Sequence, residues 1–303
     1  MGLSLWFWVT FHILIIGCLF LDLKVFHRYL RITEFKTAWI VTGFWILLAL
    51  IFNQGIYFWQ GPEVALQFFS GYLIEKSLSI DNLFVFLLIF QAFQIPKKQQ
   101  QRVLFWGVLG ALFFRIGFIL LGAKMVHSLD WVLYVFAVIL LFTTYKLIRK
   151  KAVFDVQNSF ILKIFKKIFP VYKERNIDFF LIKEGSKWKI TTLFLTLLVV
   201  ESSDILFAID SIPAIFAITT DPFIIYTSNV FAILGLRSLY FALYQSIEKL
   251  HYLRFGLAGM LFFIALKILF APIFSIPINL SLIIILLILS FTIMFSLFLK
   301  KKP

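Results

Sequence analysis

Long apolar segments alternate with short polar segments along the whole 303-residue chain. Nine of the apolar segments have the roughly 20 residues that an α-helix needs to cross the hydrocarbon core of a bilayer. They lie at about 4–23, 37–58, 64–93, 102–123, 128–148, 190–218, 223–244, 252–272 and 279–299. The pattern predicts an all-α, polytopic membrane protein with about nine transmembrane helices.

The third and sixth segments, 64–93 and 190–218, are the longest. At about 1.5 Å of rise per residue, each is longer than the hydrocarbon core. We therefore expect these two helices to be tilted, or broken in the middle. The candidate break points are polar residues and one proline, which bends a helix: Ser79, Asp81 and Asn82 in the third segment, and Asp210, Ser211 and Pro213 in the sixth.

The basic residues predict the orientation of these helices. Of the 29 Lys and Arg residues, 24 lie in connections and the C-terminal tail that face one side, whereas the alternate loops hold only Lys124. Cytoplasmic loops carry such an excess, so we expect the N-terminus outside the cell and the C-terminus in the cytoplasm. The basic loop 149–188 would be cytoplasmic. Within it, residues 160–169 form either an amphipathic helix on the membrane surface or a solvated connector.

Composition limits the classes of function. The chain is 62% hydrophobic and 15% charged, with mean hydropathy +0.98. Its net charge of +14 lies in the loops, which indicates lipid headgroups as partners and not nucleic acid. The single cysteine, Cys18, excludes a disulfide framework and a thiolate metal cluster. Motifs for phosphoryl or acyl transfer are absent, so we expect neither an enzyme nor a bound cofactor.

Two acidic segments resemble each other. Glu75 precedes Asp81 by six residues, and Asp204 precedes Asp210 by the same distance. The similarity predicts two three-helix repeats, 63–148 and 189–272, although apolar segments can also match by chance. Because three spans separate the copies, the repeats would be inverted, a pattern typical of transporters. Residues 1–303 then form a single membrane domain, in which 3–58 supply two N-terminal spans and 279–303 the last span and basic tail.

Ionisable residues inside a bilayer are costly, so a function is their default explanation. The candidate metal ligands are Glu75, Asp81, Asn82, Glu201, Asp204 and Asp210, with Asp22 and Ser211 in support. These hard oxygen donors suit Mg²⁺, Ca²⁺ or Mn²⁺. The alternative is structural ion pairing, in which Arg115 and Arg237 are the expected partners of Asp81 and Asp210. Asp22 could also be a solvated residue at the membrane interface.

Three segments resemble the TerC family of integral membrane proteins. They read GYLIEKSLSIDNLFVFLLIF from Gly71, RVLFWGVLGALFFR from Arg102 and VESSDILFAIDSIPAIFAITTDPFIIYTSNVFAILGLRSLYF from Val200. The resemblance implies a bacterial-type inner-membrane protein of a family named for tellurite resistance, with members implicated in manganese efflux. It also implies that the intramembrane acids are the functional residues.

These observations together predict secondary-active export of a divalent metal cation, with Mn²⁺ as the expected cargo and protons as the counter-ion. The direction of transport comes from the family resemblance alone. A tellurite phenotype would be indirect, because a cluster of carboxylates repels an oxyanion. The alternative is a non-transporting membrane scaffold or assembly factor, since plant members of the family are linked to assembly of thylakoid membrane proteins. The oligomeric state is left open.

Overall fold

The computed structural model describes residues 5–21, 34–129, 131–149, 170–172, 178–184, 187–244, 252–274 and 276–298. These residues are almost entirely helical, with one short β-hairpin. The elements are α1 Leu5–Leu21, α2 Phe35–Gln60, α3 Pro62–Ala92, α4 Lys97–Ser128, α5 Val132–Arg149, β1 Leu181–Glu184, β2 Lys187–Ile190, α6 Thr192–Phe216, α7 Pro222–Ile233, α8 Leu236–Tyr244, α9 Leu253–Phe270 and α10 Ile278–Phe298.

The helices confirm an all-α, polytopic membrane protein. Among the described residues, six helices are long and apolar enough to cross a bilayer. The bent pair α7 and α8, which meet at 43°, gives a seventh span if the pair is counted as one. Helix α1 is apolar but shorter, and the 31-residue α3 carries Glu75, Lys76 and Asp81 within its length. The count of nine spans and the inverted repeats therefore stay predictions.

Of the two alternatives for the long acidic helices, tilted or broken, the break is wrong. Helices α3 and α6 run without interruption through Asp81 and Asp210, and Pro213 lies in the last turn of α6. Serines near the expected break points bond to their own helices, because a serine hydroxyl can donate to the carbonyl four residues earlier. Ser77 Oγ donates to Leu73 O at 2.7 Å, and Ser203 Oγ donates in the same way within α6.

The break occurs instead between α7 and α8, at Leu234 and Gly235. Gly235 has φ +78°, a left-handed conformation that glycine adopts without a steric penalty. A Cβ at this position would lie 2.5 Å from the nearest ring atom of the buried Trp45. Only glycine therefore allows the chain to turn here while Trp45 of α2 packs against it.

Helix α3 joins the two parts of the hydrophobic core. Its residues Phe68 and Phe90 belong to the larger cluster, with side chains of α2, α4, α6, α7 and α8. Its residues Ile74 and Leu78 belong to the second cluster, with side chains of α5, α9 and α10. Glu75, in the middle of α3, is therefore buried between the two clusters.

A β-hairpin precedes α6, and the apolar pattern did not predict it. Strands β1 and β2 are antiparallel, with Leu181 opposite Ile190. Thr191 then caps α6, because its side-chain oxygen accepts a hydrogen bond from the Phe194 amide at 3.3 Å. The predicted surface helix at 160–169 lies outside the described residues.

Candidate functional site

Four polar residues from four helices meet in the interior of the bundle. Arg115 of α4 forms ion pairs with Glu75 of α3 and Asp204 of α6, and it donates to the amide oxygen of Asn229 of α7 at 3.1 Å. The bond to Asp204 is bidentate, with Nε and Nη2 of the guanidinium 3.3 and 3.2 Å from the two carboxylate oxygens. We call these four residues the Arg115 cluster.

The cluster is almost completely shielded from its surroundings. Glu75 is 0% exposed, Arg115 2% and Asp204 6%. Two carboxylates face one guanidinium, so the cluster carries one net negative charge if all three groups are ionised. Breaking a buried ion pair costs several kcal/mol, because the remaining charge is left without compensation. The arrangement is therefore held together strongly, and any other cation must compete with Arg115 for it.

Small residues let the four helices approach closely at this level. Gly71 lies one turn before Glu75, and a Cβ there would meet the Ser228 hydroxyl oxygen at 2.8 Å, next to Asn229. On α4, Gly110 leaves the space that the Glu201 carboxyl group fills. Glycine at helix contacts is typical of membrane bundles, where it allows close backbone approach. Here it brings polar side chains of α3, α4, α6 and α7 within bonding reach.

Three polar atoms at and beside the cluster have no hydrogen-bond partner within the described part of the chain. They are Glu75 Oε2, Asn229 Nδ2 and Glu201 Oε2, and all three are buried. Glu201 lies one turn before Asp204 on α6. Buried polar atoms nearly always have a partner in native proteins, so such atoms need an explanation. Two of the three are carboxylate oxygens, which could accept a proton or bind a cation.

A second group of polar residues lies around a small cavity between α3, α5, α6 and α9. The cavity has a volume of about 60 Å³, enough for a few water molecules. Asp210 accepts a hydrogen bond from the Thr143 hydroxyl at 2.5 Å. We call this site the Asp210 cavity, and its polar lining residues are Asp81, Asn82, Thr143, Lys146 and Asp210.

The expected pairing of Asp81 or Asp210 with Arg115 is wrong, whereas a pairing with Arg237 stays a prediction. Arg115 bonds to Glu75 and Asp204 instead. The physical reason is the continuity of α3 and α6, since a residue six positions further along a regular helix points away from the first one. Arg237 lies on α8, where its guanidinium carbon is 5.8 Å from the centre of the Phe105 ring.

The structure thus divides the predicted metal ligands between two sites. Glu75 and Asp204 lie in the Arg115 cluster, with Glu201 beside it, whereas Asp81, Asn82 and Asp210 line the Asp210 cavity. Ser211 is buried on α6, and its hydroxyl has no partner among the described atoms. Asp22 lies outside the described residues. Within the described ranges, no three or more His, Cys, Asp or Glu side chains are grouped closely enough to hold a metal ion.

Sequence reasoning missed Asn229, Thr143 and Lys146. Asn229 lies in the middle of the apolar segment 223–244, and a polar amide there is as unusual as an acid. The criterion that selected the acids would have found it. Thr143 and Lys146 lie near the end of the segment 128–148, where hydroxyl and basic groups are common, so the sequence offered no comparable signal.

A helical bundle with spans of membrane length and a charged interior defines a multi-pass integral membrane protein. The family model described as "Integral membrane protein TerC family" matches residues 60–303. The chain belongs to this family.

Relatives cover nearly the whole chain. An "Uncharacterized membrane protein STKORF319" of Myxococcus xanthus is 45% identical over 279 residues, which are 91% of this chain and 86% of the relative. An "Uncharacterized membrane protein" of Rickettsia felis is 41% identical over 97% of this chain and 98% of its own. The protein named "Putative membrane-bound redox modulator Alx" of Salmonella typhi is 41% identical over 83% of this chain and 81% of its own. No solved structure matches the chain.

Proposed function

We propose that this protein is a secondary transporter that exports a hard divalent metal cation, with Mn²⁺ as the cargo and protons as the counter-ion. The observation that carries the proposal is the pair of buried carboxylate oxygens, Glu75 Oε2 and Glu201 Oε2, without hydrogen-bond partners in the described structure. Carboxylate and amide oxygens are the ligands that Mn²⁺, Mg²⁺ and Ca²⁺ prefer. The manganese assignment and the direction of transport rest on the family resemblance.

Arg115 takes the place of the cargo in this proposal. Its guanidinium binds Glu75, Asp204 and the Asn229 oxygen together, which are the atoms that a metal ion would need. A metal-free site with two buried carboxylates is stable only if another cation or protons balance its charge. In this proposal Arg115 is the internal counter-ion that an arriving cation would displace.

Glu201 and the Asp210 cavity complete the route. Glu201 adds a third carboxyl group beside the Arg115 cluster; with all four groups ionised, the cluster and Glu201 together would carry two net negative charges, which match one divalent cation. Lys146 of α5 lines the Asp210 cavity. This residue is in the last turn of α5, which leads into the basic loop 149–188 that we assign to the cytoplasm. We place the entry of the cation from the cytoplasm at this cavity.

The proposed topology has nine spans in the inner membrane, with α7 and α8 counted as one span. The N-terminus lies outside the cell and the C-terminus lies in the cytoplasm. The two inverted repeats belong to this proposal. They are supported by the equivalent acids Glu75 and Asp204, which come from the two similar segments and bind the same guanidinium. Binding at the contact between two repeats is typical of secondary transporters.

The test is metal flux into liposomes that contain the purified full chain. With a pH gradient imposed, Mn²⁺ should cross faster than in protein-free liposomes, and Mg²⁺, Ca²⁺ and Zn²⁺ serve as competitors. The variants Glu75→Gln and Asp204→Asn should abolish the flux, since each removes a carboxylate from the cluster. Asp178→Asn is the matched control, because this acid is half-exposed and lies outside the helices. Absence of flux for every cation would refute the proposal.

A second candidate function is a non-transporting scaffold or assembly factor. The observation in its favour is that Arg115 already neutralises both carboxylates of its cluster. A scaffold needs only a stable cluster, so replacing Arg115, Glu75 and Asp204 together by Met, Gln and Asn should preserve its activity. The same triple variant should be inactive if the protein is a transporter.

The name of the Salmonella typhi relative suggests a redox role. Such a role would not use a disulfide between two cysteines of this chain, because its 303 residues contain only Cys18. A role in metal homeostasis would affect redox balance and tellurite resistance indirectly, since manganese supports cellular redox chemistry. We therefore assign this chain no catalytic residue and no bound cofactor.

A further inference from the structure

A cavity of about 440 Å³ lies between the beginning of α4 and α8, beside residues 178 and 179. It is separate from the Arg115 cluster and from the Asp210 cavity, with which it shares no lining residue. Two contacts hold its walls together: Tyr240 of α8 donates to Gln100 of α4 at 3.1 Å, and Lys97 lies over the Tyr244 ring. The volume is within the range of small-molecule sites.

The lining of this cavity is strongly basic. Lys98, Arg102 and Arg237 contribute three positive charges, and the only acid among the described lining residues is Asp178. Asp178 is already engaged, because one carboxylate oxygen accepts from Lys98 at 2.9 Å and the other from Gln99 at 3.3 Å. These hydrogen bonds and the nearby positive charges lower the pKa of Asp178, which therefore stays ionised. The described lining keeps two net positive charges.

Arg237 distinguishes this cavity from an ordinary basic surface. It is only 4% exposed, and its guanidinium is near the face of Phe105, so it is held in place at the cavity wall. Lys98 is at the open rim, where its side chain is 82% exposed. A fixed guanidinium with a second arginine beside it suits the planar, bidentate recognition of phosphate oxygens.

We propose that this cavity binds a phosphate group, supplied either by the headgroup of an anionic phospholipid or by a free phosphate-bearing solute. Arg237 would bind the phosphate inside the cavity, Arg102 would bind it from α4, and Lys98 would attract it at the rim. The cavity opens on the side that the basic loops assign to the cytoplasm, where anionic lipids and soluble phosphates are both present. The site is independent of metal transport and uses none of its ligands.

The test measures the thermal stability of the purified full chain with two probes. The first is inorganic phosphate, added to protein in phosphatidylcholine nanodiscs and compared with chloride at equal ionic strength. The second is the replacement of part of the phosphatidylcholine by phosphatidylglycerol. A rise in Tm with inorganic phosphate identifies a free phosphate-bearing ligand. A rise in Tm with phosphatidylglycerol, but not with inorganic phosphate, identifies a lipid headgroup.

Three variants locate the effect. Arg102→Gln removes one charged phosphate contact and should weaken the apparent affinity roughly tenfold. Arg237→Gln should weaken it at least as much, and Arg102→Gln alone carries the test if that buried variant does not fold. Arg254→Gln is the control, because Arg254 is exposed at the start of α9 and outside the cavity. The proposal is overturned if neither probe raises Tm, or if Arg254→Gln weakens binding as much as Arg102→Gln.

Discussion

Replacement of Arg115 by methionine should destabilise the protein more than any change of an exposed arginine. Methionine keeps the unbranched apolar stem of the side chain but removes the guanidinium. Four hydrogen bonds are lost at once, two to Asp204 and one each to Glu75 and Asn229. The two carboxylates then stay in the bundle interior without the cation that balances them.

The magnitude follows from this burial. Removing one partner of a buried ion pair costs about 3–5 kcal/mol. Arg115 serves two carboxylates, of which Glu75 is 0% exposed, so we expect Arg115→Met to fall in the upper part of that range. A domain is stable by only about 5–15 kcal/mol, so the variant should unfold at a much lower temperature or denaturant concentration.

The assay is equilibrium unfolding of the purified protein in mixed micelles, followed by tryptophan fluorescence as the denaturing detergent is increased. Arg254→Met is the control, and it should cost less than about 1 kcal/mol because its side chain is exposed. The triple variant Arg115→Met, Glu75→Gln and Asp204→Asn should regain most of the lost stability, because it leaves no unbalanced charge.

Two results would refute this reasoning. If Arg115→Met costs no more than Arg254→Met, the guanidinium does not bind the two carboxylates in the folded protein. If the triple variant is as unstable as Arg115→Met alone, the loss comes from packing around the side chain and not from charge.

Two further substitutions test other parts of the structure by the same unfolding assay. Gly235→Ala should cost about 2–5 kcal/mol, the sum of a left-handed alanine and a Cβ forced against Trp45. Gly61→Ala is the control for the backbone cost alone: its Cβ would meet open space, but φ +93° with ψ 175° is a conformation that essentially only glycine adopts, so we expect about 1–3 kcal/mol. A loss at Gly235 no larger than the loss at Gly61 would contradict the contact with Trp45. Thr143→Val removes the hydroxyl that donates to the Asp210 carboxylate and should destabilise by about 1–3 kcal/mol. Thr144→Val loses a bond to its own helix and a long contact of 3.5 Å with Ala258 O, both to neutral carbonyl groups, so it should cost less. A larger loss for Thr144→Val than for Thr143→Val would contradict this reasoning.

The helices were predictable from the sequence because an apolar segment of membrane length has few alternatives to a helix. Each of the nine predicted segments coincides with a helix or, for 223–244, with the bent pair α7 and α8. The bend itself was not predicted. Gly235 is an isolated glycine in an apolar segment, and only the neighbouring Trp45, distant in sequence, shows why the chain turns there.

The identity of the polar residues was predictable, but their grouping was not. Glu75 and Asp204 were predicted from the linear sequence alone, because they are charged residues within apolar segments. Their shared partner Arg115 depends on how α3, α4 and α6 pack, and this is set by glycines such as Gly71 and Gly110. The spacing alone equally allowed Arg115 to pair with Asp81, which the continuous α3 directs to the other site.

The division of the acids into two sites changes how transport would proceed. One metal ion cannot be held by all six predicted ligands at once, because Asp81 and Asp210 line a cavity from which Glu75 and Arg115 are absent. A cation would instead occupy the two sites in turn, first the Asp210 cavity and then the Arg115 cluster. Under the proposed function Arg115 would have to leave its carboxylates for the second step, and this displacement would make entry selective for a strongly charged cation. A monovalent cation brings no more charge than the guanidinium it replaces and gains nothing from the exchange.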